Sequence, residues 1–249
     1  MPKKNTKRNK NNRLKWRNRG WMPHFEIGDI HLRELTPFDA ARHKQLCETS
    51  AGYLGNYLGW AETAHQWSMK AHLQWLAVHS RSKDPFNSFG AFYGDSLLGF
   101  FTYANAKDFL GVQICYYVNQ ECAGRGIATL VTETMVDRAF ILGGFEYVEL
   151  HIDIDNIASQ KVAEKVGFTP VVSYSCPKSG KKGTGKMEVW VKLNPKGKSG
   201  VTLDDFRNDD NSYLIPAYIN HQNALAAAKA ITEVVKMIQN IASSRLLSK

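Results

Sequence analysis

Nothing in the 249 residues approaches the run of about twenty apolar side chains that a membrane-spanning helix requires. The most apolar stretch, 109–118, is interrupted by Gln113, so no membrane span is expected. Cysteine is also sparse. Cys47, Cys115, Cys122 and Cys176 stand far apart, with no C-x-x-C pair and no metal-ligand spacing. A disulfide scaffold and a structural metal are not expected; reduced packing thiols in a cytoplasmic protein are. Acidic residues are missing from the first nineteen positions, where Lys3, Lys4, Lys7, Arg8, Lys10, Arg13, Lys15, Arg17 and Arg19 supply nine positive charges. Taking those nine from the 32 Lys and Arg leaves 23 basic against 23 acidic residues, so this arm carries the net charge of +9. An export signal would need an apolar core after the basic start, but Met22-Pro23-His24-Phe25-Glu26 follows, and no export is expected.

What is present suffices for one packed body: 43% hydrophobic residues and 11% aromatics exclude wholesale disorder. Four regions are expected. Residues 1–22 form a disordered basic arm, 23–195 a folded domain, 196–212 a linker around Lys196-Gly197-Lys198-Ser199-Gly200, and 213–249 a helical extension. In the extension Leu225, Ile231, Val234, Val235, Ile238 and Ile241 share a broad face that must pack on the body, on a second copy in a homodimer, or on another protein. The arm suits an anionic surface such as the ribosome or a nucleic acid.

Within the domain, Ile30 to Leu35 alternates as a strand, and Thr36-Pro37 starts a helix near 39–49. A second helix is expected over 63–82. Strands at 89–92 and 97–103 flank a turn at Tyr93-Gly94-Asp95-Ser96. Strand 109–118 runs into Gly124-Arg125-Gly126 and a helix to about Leu142, stopped by Gly143-Gly144. Strand 147–154, helix 156–166, strand 168–175, a flexible basic loop 177–186 and strand 187–193 complete the order. The fold class is α/β (α+β), a mixed sheet with helices.

Two segments carry chemistry. Glu121-Cys122-Ala123-Gly124-Arg125-Gly126-Ile127-Ala128 joins a strand to a helix, and glycines there let free N–H groups at the helix start approach a phosphate. About thirty residues on, Asn156-Ile157-Ala158-Ser159 opens a second helix, with Asn156 placed as its N-cap. Together, G-R-G-I-A and N-x-x-S-x-x-V-A-E-K-V-G-F resemble the coenzyme-binding core of the GNAT superfamily of N-acetyltransferases, in its RimJ/RimL-like branch. Glu48-Thr49-Ser50 through Asn56-Tyr57-Leu58-Gly59-Trp60 is similar to the acceptor-side helices of that branch. The resemblance spans roughly 25–193.

The resemblance implies a mostly antiparallel GNAT sheet and transfer of acetyl from acetyl-CoA to a primary amine, most simply a protein N-terminal α-amine of the ribosomal-protein type. It implies that Tyr116, Tyr117 and Val118 offer main-chain groups to the pantetheine, with the amide near Val118 facing the developing oxyanion. It gives the pyrophosphate to Ala123, Gly124, Arg125, Gly126, Ile127 and Ala128, the pantetheine to Asn156, and the proton for the leaving thiolate to Ser159. One position departs from the pattern. Relatives can carry Glu where Gln113 stands, and an amide accepts no proton at neutral pH. His151 and Asp153 alternate along the next strand as substitutes, each also readable as a structural or solvated group. Two other readings stay open: an amine attached to nucleic acid as acceptor, and a GNAT-like body without turnover that assembles with a partner.

Two further patterns are discounted. Gly180 to Met187 nearly spells a phosphate-binding P-loop, but Met187 replaces the Ser or Thr that binds magnesium, and a strand follows. His65, His72 and His79 recur every seven residues, which spaces them about 10 Å apart on a helix, too far for one ion. A solvated or partner-facing edge is expected for them.

Overall fold

The computed structural model describes residues 25–27, 29–79 and 88–207. The basic arm expected over 1–22, the helical extension expected over 213–249, and with them the expected contacts with an anionic surface or a second copy, lie outside the described residues.

Strands β1 (Phe25–Ile27) and β2 (Ile30–Glu34) open the chain, and a 3-10 turn at Pro37–Asp39 leads into α1 (Ala40–Leu54). Helices α2 (Ala61–Ala64) and α3 (Met69–His79) replace the single helix expected over 63–82. The break follows from Ser68, whose hydroxyl accepts the Ala71 amide at 3.3 Å and starts a new helix. Then β3 (Phe89–Tyr93) and β4 (Ser96–Asn105) form the expected hairpin. The remaining elements are β5 (Gly111–Val118), α4 (Ile127–Ile141), β6 (Tyr147–Asp153), α5 (Ile157–Val166), β7 (Thr169–Ser175), β8 (Lys186–Leu193) and α6 (Asp204–Arg207). None of the described helices is long and apolar enough to cross a membrane.

The eight strands form one sheet in the order β1-β2-β3-β4-β5-β6-β8-β7. Neighbours run antiparallel except β5 and β6, which are parallel. This is the expected mixed, mostly antiparallel sheet of α/β class. The parallel pair is short: Gly111↔Tyr147, Val112↔Val148 and Gln113↔Glu149 are in register, and the strands then part. Their outer edges stay paired, β5 to β4 as far as Gly99↔Val118 and β6 to β8 as far as Asp153↔Met187. A wedge-shaped gap therefore opens in the middle of the sheet.

Successive side chains of a strand face opposite sides. Val112, Ile114 and Val118 of β5 and Val148, Leu150 and Ile152 of β6 pack with Val131 and Met135 of α4 and Ala163 of α5. On the other side Phe92, Phe100 and Tyr117 pack with Leu46 and Leu54 of α1 and Leu76 of α3. The segment expected to be a linker, 196–212, is in part structured: Phe206 is fully buried with its ring 4.8 Å from Tyr147. A solitary phenylalanine in a polar run has no periodicity to announce it, yet its burial contributes about 2 kcal/mol. Phe206 thus belongs to the domain's packed core.

At the entry to α1, Arg33 Nη2 and Nη1 grip Asp39 Oδ1 and Oδ2 at 2.6 and 2.9 Å, and the Thr36 amide donates to Oδ2 at 3.0 Å. Burial alone would raise the Asp39 carboxyl, but Arg33 and Thr36 outweigh it and hold the group below its ordinary 3.8. A depressed carboxylate stabilises the fold above its unfolded value and loses that contribution as pH falls through the folded value. Asp39→Asn is expected to cost about 2 kcal/mol at pH 7. Thermal melts should show the difference from wild type shrinking below pH 4; a gap that stays constant down to pH 2 would contradict the assignment.

Candidate active site

Beyond Gln113 and Glu149 the gap holds a cavity of about 710 Å³. Its lining comes from both faces of the sheet. Tyr116 stands on the face covered by α4 and α5, beside Asn156 and Ser159 at the start of α5. Gln113, Cys115, His151 and Asp153 belong to the opposite face, with Tyr57 and Leu58 after α1 and Lys178 and Ser179 after β7.

The strand edge bordering the gap carries main-chain groups without a β6 partner. The Asn119 amide donates to Leu98 O at 2.7 Å on the β4 side. By alternation Tyr117 and Cys115 also turn their main-chain groups to β4, while Ile114, Tyr116 and Val118 turn theirs to the gap. Of the three strand positions expected at the pantetheine, Tyr116 and Val118 therefore turn their main-chain groups to the gap. Tyr117 does not: its phenol is buried on the far side, 2.8 Å from His43 Nε2.

After β5, Gly124 and Gly126 adopt φ of +75° and +85°, and Gly126 precedes the first turn of α4. Adjoining residues aside, no atom of the described residues lies within 4 Å of where a Cβ would stand on either. Space and backbone thus combine at a helix start, where unpaired N–H groups and the dipole favour an anion. Ala123, Arg125 and Ala128 flank this turn on the surface, and Ile127 is buried beneath it.

Asn156 Oδ1 accepts the Ser159 amide at 3.3 Å, so Asn156 is the N-cap of α5 as well as cavity lining. The Tyr116 hydroxyl donates to Ser159 Oγ at 3.3 Å. Burial pushes the Tyr116 phenol up to about 12 against the lowering effect of that bond, so it keeps its proton at neutral pH. Asn156 and Ser159 open α5 as the sequence indicated; the Tyr116 hydroxyl beside them was not singled out from it.

A family described as Acetyltransferase (GNAT) domain matches residues 29–169. The chain belongs to the GNAT acetyltransferase family. No curated protein matches its sequence. Among solved structures, the acetyltransferase is similar to RimL, the ribosomal L7/L12 α-N-protein acetyltransferase in complex with coenzyme A, at 16% identity and a TM-score of 0.59 over 67% of this chain and 95% of that one. It is similar to the ribosomal-protein-S5-alanine acetyltransferase of Vibrio fischeri, at 17% identity and a TM-score of 0.58 over 70% and 98%. Mycobacterium smegmatis RimJ in complex with CoA-disulfide gives 15% and 0.59 over 69% and 86%. The family match and the coenzyme present in two of these neighbours support acetyl-CoA as the co-substrate.

On the opposite face, the two substitutes considered for the missing Glu behave differently. Asp153 is committed, accepting the Thr184 amide at 2.7 Å and hydroxyl at 3.1 Å. His151 lies between two partners, with Nε2 3.2 Å from Glu149 Oε1 and Nδ1 2.8 Å from Tyr174 Oη. Glu149 and Tyr174 were not singled out from the sequence. The available signal was Glu149-x-His151, two polar groups sharing one face of a buried strand.

The loop 177–186, expected to be flexible, is pinned across the cavity. The amides of Lys181 and Lys182 donate to Gly55 O and Asn56 O at 2.8 and 2.7 Å, and the Gly59 amide donates to Ser179 Oγ at 3.0 Å. Gly180 makes this possible: at φ +74°, an added Cβ would stand 2.6 Å from Asn56 O. Charge and glycine in the sequence suggested mobility, but main-chain bonding to the turn after α1 overrides both.

The histidine spacing also reads differently in three dimensions. His72 is fully buried and His79 stacks on Trp75 at 3.8 Å, so the expected solvated edge holds for His65 alone of the three. The helix break before Ser68 sets His65 off the face that the other two share. His43, Cys47 and His72 bring ligand-type atoms within 4.8 Å. However, His43 turns Nδ1 to His72 at 2.9 Å and Nε2 to Tyr117 and Cys47 at 2.8 and 3.7 Å. These contacts form a buried hydrogen-bonded cluster. Burial, then His72 and His79, pushes His43 down to about 3, keeping it neutral.

Proposed function

We propose that the acceptor is the α-amine of a protein N-terminus, of the ribosomal-protein type, in a cytoplasmic setting. The observation that carries the reading is the cavity's lining from both sheet faces, roofed by the 177–186 loop. Coenzyme and acceptor can then meet end to end within the gap, and such a roofed gap suits a chain end better than a folded surface. The neighbours named for acetylating ribosomal proteins support the same class.

In this reading the glycine turn holds the pyrophosphate, and the gap-facing groups of Tyr116 and Val118, with the Asn156 amide, hold the pantetheine. The amide near Val118 donates to the thioester oxygen as charge develops on it. Ser159 gives its proton to the departing sulfur and recovers one from Tyr116 through their hydrogen bond. Burial raises both cavity thiols, Cys115 up to about 12, so neither supplies the thiolate that an acyl-cysteine route would need. That favours direct attack by the amine.

Labelled acetyl-CoA should transfer its label to peptides with a free α-amine and not to the same peptides with the terminus blocked. A second reading draws on Lys178 at the cavity and Lys181 and Lys182 in its roof, which suit a nucleic-acid-linked amine. Aminoacyl-tRNA and a polyamine therefore belong in the same assay. Label on either of those, with none on any peptide, would overturn the protein-terminus reading.

A further inference from the structure

We propose that Tyr174, His151 and Glu149 form the proton-accepting chain for the acceptor amine, supplying across the gap the carboxylate that Gln113 lacks on β5. The inference rests on the acetyl-transfer reading above. Its geometric basis is the register: Gln113↔Glu149 is the last pair before the strands part, so Glu149 sits on the neighbouring strand directly opposite the amide.

Glu149 is 1% exposed, and its second oxygen, Oε2, has no hydrogen-bond partner among the described residues. A buried carboxylate with one oxygen unpartnered can pair with a positive charge that forms beside it during the reaction. The adjacent group is His151. With Nε2–H donated to Glu149, the lone pair of His151 is on Nδ1, and the Tyr174 hydroxyl 2.8 Å away donates to it. His151 and Tyr174 both line the cavity. The other titratable groups lining this side of the cavity are Asp153 on β6, held by Thr184, Cys115 on β5, Tyr57 after α1, and Cys176 and Lys178 after β7; β8 places Val189 opposite His151.

As the amine nitrogen bonds to the acetyl carbon, its proton passes to Tyr174 Oη while the proton of Tyr174 passes to His151 Nδ1. The imidazolium so formed is paired with the Glu149 carboxylate. The carbon–sulfur bond breaks with its electron pair on sulfur, which takes the Ser159 proton. The acceptor thus loses one proton to His151, the thiolate gains one from the Ser159–Tyr116 pair, and solvent restores both after release.

The test uses the full-length protein with whichever amine the wild type acetylates, and compares His151→Gln, Glu149→Gln and Tyr174→Phe over a range of pH. His151→Gln should lower kcat by about 10²- to 10⁴-fold and remove the acid limb of the kcat profile, leaving the KM for acetyl-CoA unchanged. Adding Gln113→Glu to His151→Gln should return at least about tenfold, because it places a proton acceptor on the facing strand. A His151→Gln enzyme within about threefold of wild type, or one whose loss Gln113→Glu does not relieve, overturns the proposal. Should His151→Gln also lose coenzyme binding by calorimetry, Tyr174→Phe, which keeps the ring's packing, decides on the same pH criterion. A wild-type protein that acetylates no amine removes the acetyl-transfer reading and the chain with it. An active wild type matched by an equally active His151→Gln removes the chain alone.

Discussion

Gly126→Val will raise the KM for acetyl-CoA by roughly 10- to 150-fold, which corresponds to losing about 1.5–3 kcal/mol of charge-assisted hydrogen bonding to the pyrophosphate. At φ +85° a β-branched residue is strained, so the first turn of α4 must shift and its amides no longer converge. Even where the backbone holds, the new side chain would fill the space that no protein atom occupies within 4 Å. In the proposed mechanism the chemistry lies at Tyr116 and Ser159 rather than at this turn, so kcat at saturating coenzyme should fall much less than kcat/KM. Steady-state kinetics and calorimetry with coenzyme A separate the two quantities. An unchanged KM would show that the phosphates bind away from this turn.

Gly111→Ala should produce the largest loss of stability. A Cβ there would stand 2.0 Å from the Tyr147 ring, its register partner at the closed end of the gap. The ring has nowhere to move: Tyr147 is fully buried, its hydroxyl donates to Asp108 Oδ1 at 2.9 Å, and Phe206 packs edge-on at 4.8 Å. Overpacking at such a site costs about 3 kcal/mol, which lowers Tm by roughly 6–12 °C for a domain of this size. Tyr147→Ala removes the clash along with its own packing. The double substitution should therefore be more stable than the sum of the single losses predicts, and strict additivity in denaturant melts would refute the contact.

How far the sequence discloses these features depends on the distance over which each is written. The glycine turn and the Asn156–Ser159 helix start are local, since a few consecutive residues contain the backbone conformations and caps that make them. The wedge is different, because where β5 and β6 stop pairing is a property of two strands thirty residues apart, and no local pattern announces it. Glu149 was hidden for a related reason. In Tyr147-Val148-Glu149-Leu150-His151 a polar residue at every second position reads as a solvated face, and only the opposing strands bury it. Phe206 and the pinned loop were misread because tertiary contacts, which no local pattern encodes, outweigh composition. The histidine repeat misled in the opposite direction: its regular spacing assumed a continuous helix that Ser68 interrupts.

The pinned loop also bears on how this enzyme can diverge. Lys181 and Lys182 are tied to the turn after α1 through their amides and the carbonyls of Gly55 and Asn56, so no side chain takes part in either bond. Substitution at 181 or 182 by any residue except proline, which would delete the donor, leaves the closure in place. A lineage could therefore replace these lysines freely and alter which acceptors are attracted to the cavity, while each descendant inherits the same roof.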